Sequence, residues 1–264
     1  MTRLADKVIV VIGGTSGLGL SAAKAFVCEG AKVLVVGRNE EKVGAAESEL
    51  GENGCGFAGD ASRPETADAA IELAVEQFGA LSGLYHVAGG SGRRQGDGPL
   101  HEISDAGWDY TVSLNLTSVF YSNRAAVRRF LQQGGGGTVL NMGSVLGTSP
   151  SPAYFSTHAY AATKAAIIGM AKSSAAYYAE QSIRCNVLAP ALVATPMSER
   201  AQENVEIMNF IATKQPLDGG RIGMPEDLDS AAVFFMSDES RFVTGQVLSV
   251  DGGWSVSEGQ TGGA

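Results

Sequence analysis

The chain has 264 residues, of which 44% are hydrophobic and 18% charged, and its net charge is −9. A chain of this length can bury roughly 75% of its unfolded surface in one core, so a single globular domain over 1–264 is expected. The acidic balance argues against a nucleic-acid partner or attraction to an anionic membrane surface, and no stretch reaches the roughly 18 apolar residues of a membrane span.

In chain order, Lys7 to Ile12 is a continuous apolar, β-branched run that reads as a buried strand and ends in Gly13-Gly-Thr-Ser-Gly-Leu-Gly19. Leu20 to Glu29 then has a helical period, with Leu20, Ala23, Phe26 and Val27 on one face and Gly30 as the stop. Strand, glycine turn and helix together make a pyrophosphate site, because the free N–H groups and dipole of a helix N-terminus favour an anion and glycine lets the backbone approach closely. A second strand, Lys32 to Val36, ends at Gly37-Arg38-Asn39, where the adenosine ribose of a dinucleotide would lie. With glycine at position 37 and a phosphate-gripping guanidinium at Arg38, NADP is favoured over NAD, the plainer alternative being that Arg38 is a solvated residue opening the next helix.

Further on, Gly54 to Ala58 reads as a strand ending at Asp60, Pro64 to Phe78 as a helix with proline in its first turn, and Leu81 to Val87 as a strand closed by Ala88-Gly89-Gly90. In the glycine-rich, basic loop Ser91 to Gly98, Arg93 and Arg94 either meet an anionic substrate or stay solvated, and solvation is the safer expectation. A long helical pattern runs from Ser104 to Gln133. Asn115 lies inside it, a poor helix former there, so its side chain is either solvated or bonded back to the helix, or holds a functional backbone or water contact. Gly134 to Gly137 separates this helix from the strand Thr138 to Met142. Ser144 follows that strand, at the carboxyl edge of a parallel sheet where such folds bind ligands. It serves either a turn or the substrate oxygen.

Tyr160 and Lys164 stand four apart, which places a phenol and an ammonium on one face of a helix. The phenol's ordinary pKa of about 10 is too high for acid–base work at neutral pH, and a cation within roughly 4–6 Å is expected to lower it. A segment over about 192–216, with apolar Met197, Val205, Ile207, Met208, Phe210 and Ile211, suits a substrate lid, although packing on the core explains the pattern too. Residues from about 257 to 264 are small and polar and read as a loose tail. Cys28, Cys55 and Cys185 are scattered and odd in number, so they read as reduced thiols rather than zinc ligands or disulfides. Met1-Thr-Arg-Leu-Ala-Asp has no apolar signal core, and a cytoplasmic protein without a metal is expected.

Taken together, Gly13 to Gly19, Asp60, Ala88-Gly89, Asn115, Ser144, Tyr160 with Lys164, Asn186 to Pro190, and Val243 to Gln246 leading to Asp251-Gly-Gly253 resemble the short-chain dehydrogenase/reductase family in its compact single-domain branch, from about Asp6 to Trp254. The resemblance implies an α/β fold: a Rossmann-like, doubly wound, seven-stranded parallel sheet with helices on both faces. It implies a nicotinamide cofactor held by Gly13, Thr15, Ser16, Gly17, Leu18, Gly19, Arg38, Asp60, Ala61, Ala88, Gly89, Tyr160, Lys164, Pro190, Val193 and Thr195, with Asp60 on adenine and Thr195 on the nicotinamide carboxamide. It further implies a tetrad in which Tyr160 is the general acid/base, Ser144 holds the substrate oxygen, Lys164 lowers the tyrosine pKa and binds the nicotinamide ribose, and Asn115 positions a proton-relaying water. A homotetramer is implied as well.

Three departures from the family pattern stand out: Ile12 where threonine is common, His86-Val87 where a pair of asparagines is common, and Ala191 where glycine usually follows Pro190. Apolar packing is expected to replace the polar contacts at Ile12 and Val87, and His86 is expected to be structural. Tyr154, Tyr177 and Tyr178 have no lysine four residues on and are expected to be structural, with Tyr154-Phe155 lining one wall of the substrate site. The function these features imply is NADP-dependent interconversion of a carbonyl and a secondary alcohol on a small molecule. A 3-oxoacyl thioester reductase is the alternative within the same chemistry, and a catalytically silent dinucleotide sensor or scaffold the alternative outside it.

Overall fold

The structure, a computed structural model, describes residues 2–260. Its elements are β1 (Val8–Ile12), α1 (Gly17–Cys28), β2 (Lys32–Gly37), α2 (Glu40–Leu50), β3 (Gly54–Ala58), α3 (Pro64–Phe78), β4 (Gly83–His86), α4 (Asp105–Val112), α5 (Ser118–Gln132), β5 (Gly137–Met142), α6 (His158–Tyr178), β6 (Ile183–Pro190), α7 (Glu199–Gln202), α8 (Val205–Lys214), α9 (Asp229–Met236) and β7 (Val247–Val250). The strands form one parallel sheet in the order β3-β2-β1-β4-β5-β6-β7. The chain reverses direction across the sheet between β1 and β4, and the carboxyl ends of those strands open a crevice there.

Each face of the sheet buries alternate residues of the same strands. Ile9, Val11, Val33, Val35, Leu140 and Leu188 pack with Phe26 of α1, Leu50 of α2 and Phe235 of α9. Val10, Ile12, Leu34, Val36, Leu84 and Val139 pack with Ile71 of α3 and Phe130 of α5. With both faces covered, β1 is buried at all five positions, which is why it reads as an unbroken apolar run. Ile12 is buried as expected, and Val87 packs against the core at the cleft edge.

Helix ends follow local chemistry. The Asn39 side chain accepts from Lys42 N at 2.8 Å and Glu40 and Glu41 sit in the first turn of α2, while Pro64 opens α3. The long helix expected from 104 to 133 differs in one respect: between α4 and α5, residues Ser113–Thr117 form a π-helical turn. The extra residue in that turn aims the buried Asn115 side chain toward the loop after β4.

Residues 192–216 fold into a short 3-10 turn, α7 and α8, and Ala201, Ile207, Phe210 and Ile211 are buried with Val145 and Trp254. The beginning of the tail, expected to be loose, is tied to α8: Ser257 Oγ donates to Thr213 O at 2.8 Å, and Gln260 N donates to Thr213 Oγ1 at 2.6 Å. The expectation for 261–264 lies outside the described residues. No described helix is long and apolar enough to cross a membrane.

Candidate active site

A cleft of about 570 Å³ lies at the carboxyl ends of the central strands. Its floor at one end is the turn between β1 and α1. Gly13 has a φ of +87°, and a Cβ on it would fall 2.6 Å from Ala88 N; a Cβ on Gly19 would fall 2.1 Å from Gly13 O. The turn is therefore compressed beyond what any side chain permits, and it presents backbone to the cleft. Ser16 makes no side-chain cap, and the first turn of α1 carries no acidic residue, so those N–H groups remain available to an anion.

Thr15, Ser16, Gly17, Leu18, Arg38, Asp60, Ala61, Ala88, Gly89, Pro190, Val193 and Thr195 line the same cleft as Gly13. Gly19 lies beneath it. Asp60 is held ionised: burial opposes its charge, but the Ser62 N–H and hydroxyl, each 2.9 Å from Oδ1, and the charges of Arg38 and Arg63 outweigh that and keep the carboxyl below its usual range. The glycine cradle, the open helix end and the two lateral walls fit a dinucleotide.

At the other end, Ser144, Tyr160 and Lys164 meet. Ser144, in extended backbone after β5, accepts from Leu146 N at 3.2 Å, so it caps a turn, and its hydroxyl acts on the Tyr160 phenol in the direction that lowers its pKa. Lys164 Nζ donates to Met142 O at 2.8 Å and lies over the Tyr160 ring, 5.4 Å from its centre. The two side chains share a helix face, as their spacing predicts.

The electrostatics correct the expectation for Tyr160. Burial pushes its phenol up to about 12, with only the Ser144 hydrogen bond acting downward, and Lys164 is itself pushed down by burial to about 8. A neighbouring cation lowers a phenol only when it outweighs the loss of water, and here the ammonium faces the ring and spends a proton on Met142 O. Tyr160 keeps part of its surface in the cleft, where solvent moderates the rise.

Asn115 does not line the cleft but clamps its wall. Nδ2 donates to Gly90 O at 2.8 Å and to Thr111 O at 3.0 Å, and Oδ1 accepts from Gly90 N at 3.0 Å. It is both bonded back to its helix and engaged with the loop. His86 is structural: Nδ1 lies 2.7 Å from Ser122 Oγ and Nε2 lies 3.1 Å from Ala88 O, and burial, then the Lys164 charge, lower its pKa to about 3. The neutral ring therefore accepts a hydrogen bond from the Ser122 hydroxyl at Nδ1 and donates one from Nε2–H to Ala88 O, a tautomer fixed by its partners.

Two features escaped the sequence reading. Buried Asp97 accepts from Ala159 N at 3.0 Å and Tyr160 N at 2.9 Å, capping α6 from a loop 62 residues earlier in place of Thr157, which makes no side-chain cap. Its one sequence signal is that it is the acid in an otherwise basic loop. Trp254 is buried against Phe210 and Phe155 and forms part of the cleft wall. Arg93, expected to be solvated, is partly buried and lines the cleft, whereas Arg94 is exposed.

The chain matches, over residues 13–255, a protein family described as enoyl-(acyl carrier protein) reductase. It is 34% identical to 3beta-hydroxysteroid dehydrogenase 2 of Eggerthella lenta, with 96% of each chain covered. It is 36% identical to the 2,5-dichloro-2,5-cyclohexadiene-1,4-diol dehydrogenase of Sphingobium indicum, covering 96% of this chain and 98% of that protein. Among solved structures, one described as a short-chain type dehydrogenase/reductase from Mycobacterium ulcerans superposes with a TM-score of 0.89 at 31% identity, covering 97% of this chain and 92% of that one.

Proposed function

We propose, because this chain belongs to the short-chain dehydrogenase/reductase family, that it is an NADP-dependent oxidoreductase interconverting a carbonyl and a secondary alcohol, with Tyr160 as its acid and base. The observation that carries this reading is the meeting of Ser144, Tyr160 and Lys164 in the same cleft as the glycine cradle. A module that only bound a dinucleotide would have no use for a phenol placed beside a serine and a lysine in that cleft.

A nicotinamide dinucleotide, when bound, would supply or accept the hydride. The backbone of the β1–α1 turn would hold its pyrophosphate, Asp60 its adenine, Thr195 its carboxamide and Lys164 its ribose. Arg38 supports NADP: it lies in the cleft wall at the end of β2, and a side chain at Gly37 would strike Thr15, whose Oγ1 is 2.5 Å from the Cβ position, so no carboxylate stands at that strand end to repel a 2′-phosphate.

Ser144 donates to the carbonyl oxygen and orients it. The Tyr160 phenol, protonated at neutral pH with a pKa raised toward 12, gives its proton to that oxygen as the alcohol forms. In the reverse direction the phenolate takes the proton back, and this needs the Lys164 charge nearby. Asn115 fixes Gly90, and with it the loop after β4 that forms part of the cleft wall. The relatives' names place hydroxysteroid and diol oxidation within this chemistry and support an alcohol or ketone substrate.

The reading also includes the cytoplasm, supported by the free thiols of Cys28, Cys55 and Cys185, and a homotetramer. The decisive experiment is a carbonyl panel assayed with NADPH and NADH separately. Turnover is expected with NADPH, and Tyr160→Phe is expected to reduce kcat by about 10²–10⁴-fold, the usual worth of a positioned acid. A Phe variant as active as the parent would overturn the assignment of the acid.

A further inference from the structure

This acidic protein has 19 basic against 28 acidic side chains, and four of the basic ones sit in ion pairs among the described residues. Arg3 pairs with Glu239, Lys7 with Asp238, Lys24 with Glu49, and Arg221 with Asp218 and Asp227. Arg93 and Arg200 are set apart by converging on one point of the cleft. Both line the cleft, neither is in an ion pair among the described residues, and both point an Nη2 at one carbonyl, Tyr154 O, at 3.5 Å each. Two guanidiniums thus converge on a single neutral acceptor at a distance where each bond is weak. Most of their ten N–H donors have no partner among the described side chains and backbone, those of the exposed Arg200 facing solvent.

Like charges that close repel unless an anion lies between them, and paired planar forks suit a carboxylate, phosphate or sulfonate. Burial, and then the Arg200 charge, lower the Arg93 guanidinium, with Asp97 acting against them; an anion would relieve that strain.

The position separates this pair from the cofactor's phosphates. Tyr154 does not itself line the cleft, contrary to expectation, but it packs at a tilt against Phe210, 5.3 Å between ring centres, within the cluster of Val145 and Trp254. Its neighbour Phe155 is in the cleft wall, so the arginine pair sits with the apolar wall rather than at the α1 terminus or Arg38. Arg93 comes from the loop after β4 and Arg200 from α7, so one anion would bridge the sheet edge and the 192–216 segment. The neighbouring wall is apolar, with Leu146, Phe155, Met197 and Trp254.

We infer that Arg93 and Arg200 form an anion-binding subsite, and that the substrate is a ketone or secondary alcohol with an apolar body and a carboxylate, phosphate or sulfonate at its far end. The inference rests on the oxidoreductase reading for its substrate, but its binding test does not.

Calorimetry with 1-hexanol, hexanoate, hexyl phosphate and hexanesulfonate, at saturating NADP so that the cofactor site is filled, separates charge from chain and one anion from another. At least one anion is expected to bind about tenfold or more tightly than 1-hexanol, less so as salt rises. The double variant Arg93→Gln/Arg200→Gln should lose that preference, and Arg93→Lys/Arg200→Lys should keep most of it. Because preference is a ratio within one variant, a general loss of binding does not mimic it.

In turnover, the ratio of kcat/KM for 5-oxohexanoate over its methyl ester should fall about tenfold or more in the double Gln variant. Absence of turnover with every ketone defeats the oxidoreductase reading while the calorimetric preference still supports the subsite. Equal binding of 1-hexanol and all three anions, or a preference that survives the double Gln variant, overturns the subsite itself.

Discussion

Position 38 decides more than its exposure suggests. Arg38 stands in the cleft wall at the end of β2, where the proposed NADP would place its adenosine end, and Gly37 beside it has no room for a side chain because Thr15 fills the space. A charge-assisted contact contributes about 1.5–3 kcal/mol, which is roughly 10- to 150-fold in affinity. Arg38→Asp is therefore expected to weaken NADPH binding by at least tenfold and NADH binding far less, since only the former carries the 2′-phosphate. Parallel fluorescence titrations of the two reduced cofactors measure this, and equal losses would remove the case for NADP. Tyr160 shows the converse: its spacing from Lys164 is plain in the sequence, but the direction of its pKa shift comes from how much protein surrounds it.

At the scale of elements, α6, which carries Tyr160 and Lys164, depends on a residue outside it. The two buried N–H groups at the start of α6 are satisfied by Asp97 alone among the described side chains, and one of them belongs to Tyr160. Losing such a cap costs about 1–2 kcal/mol, and more where donors are left buried. Asp97→Ala should lower the thermal midpoint by several degrees, at roughly 2–4 °C per kcal/mol for a chain of this size. It should also lower kcat more than it raises KM, because the phenol is displaced from the substrate oxygen. Asp97→Asn keeps one acceptor and should fall between. A calorimetric scan showing the parent midpoint in Asp97→Ala would refute the cap. The π turn between α4 and α5 works in a similar way, since a regular helix would not carry both Asn115 nitrogen and oxygen to the Gly90 backbone.

For the whole molecule, several large apolar side chains remain on the surface. Phe120 is 44% exposed, Tyr177 75% and Phe242 101%, and the sheet ends in β7 with Leu248 40% exposed. Exposed apolar side chains and an unpaired strand edge are features that self-association would cover, in keeping with the proposed homotetramer. Light scattering is expected to give a mass near four chains, with Phe120→Glu shifting it downward; a monodisperse monomer at micromolar concentration would end that reading. Much of the architecture was legible in the residues. Unbroken apolar strands alternating with amphipathic helices specify a parallel sheet covered on both faces, and the glycine turn, Ser144 and the Tyr160/Lys164 spacing mark the cleft, because each signal is confined to one strand, turn or helix face. The Asp97 cap, the Asn115 clamp on Gly90, the Arg93 and Arg200 convergence on Tyr154 O and the raised Tyr160 phenol were not legible. Each joins segments tens of residues apart or depends on exclusion of water, and only the closed fold sets those distances and that dielectric.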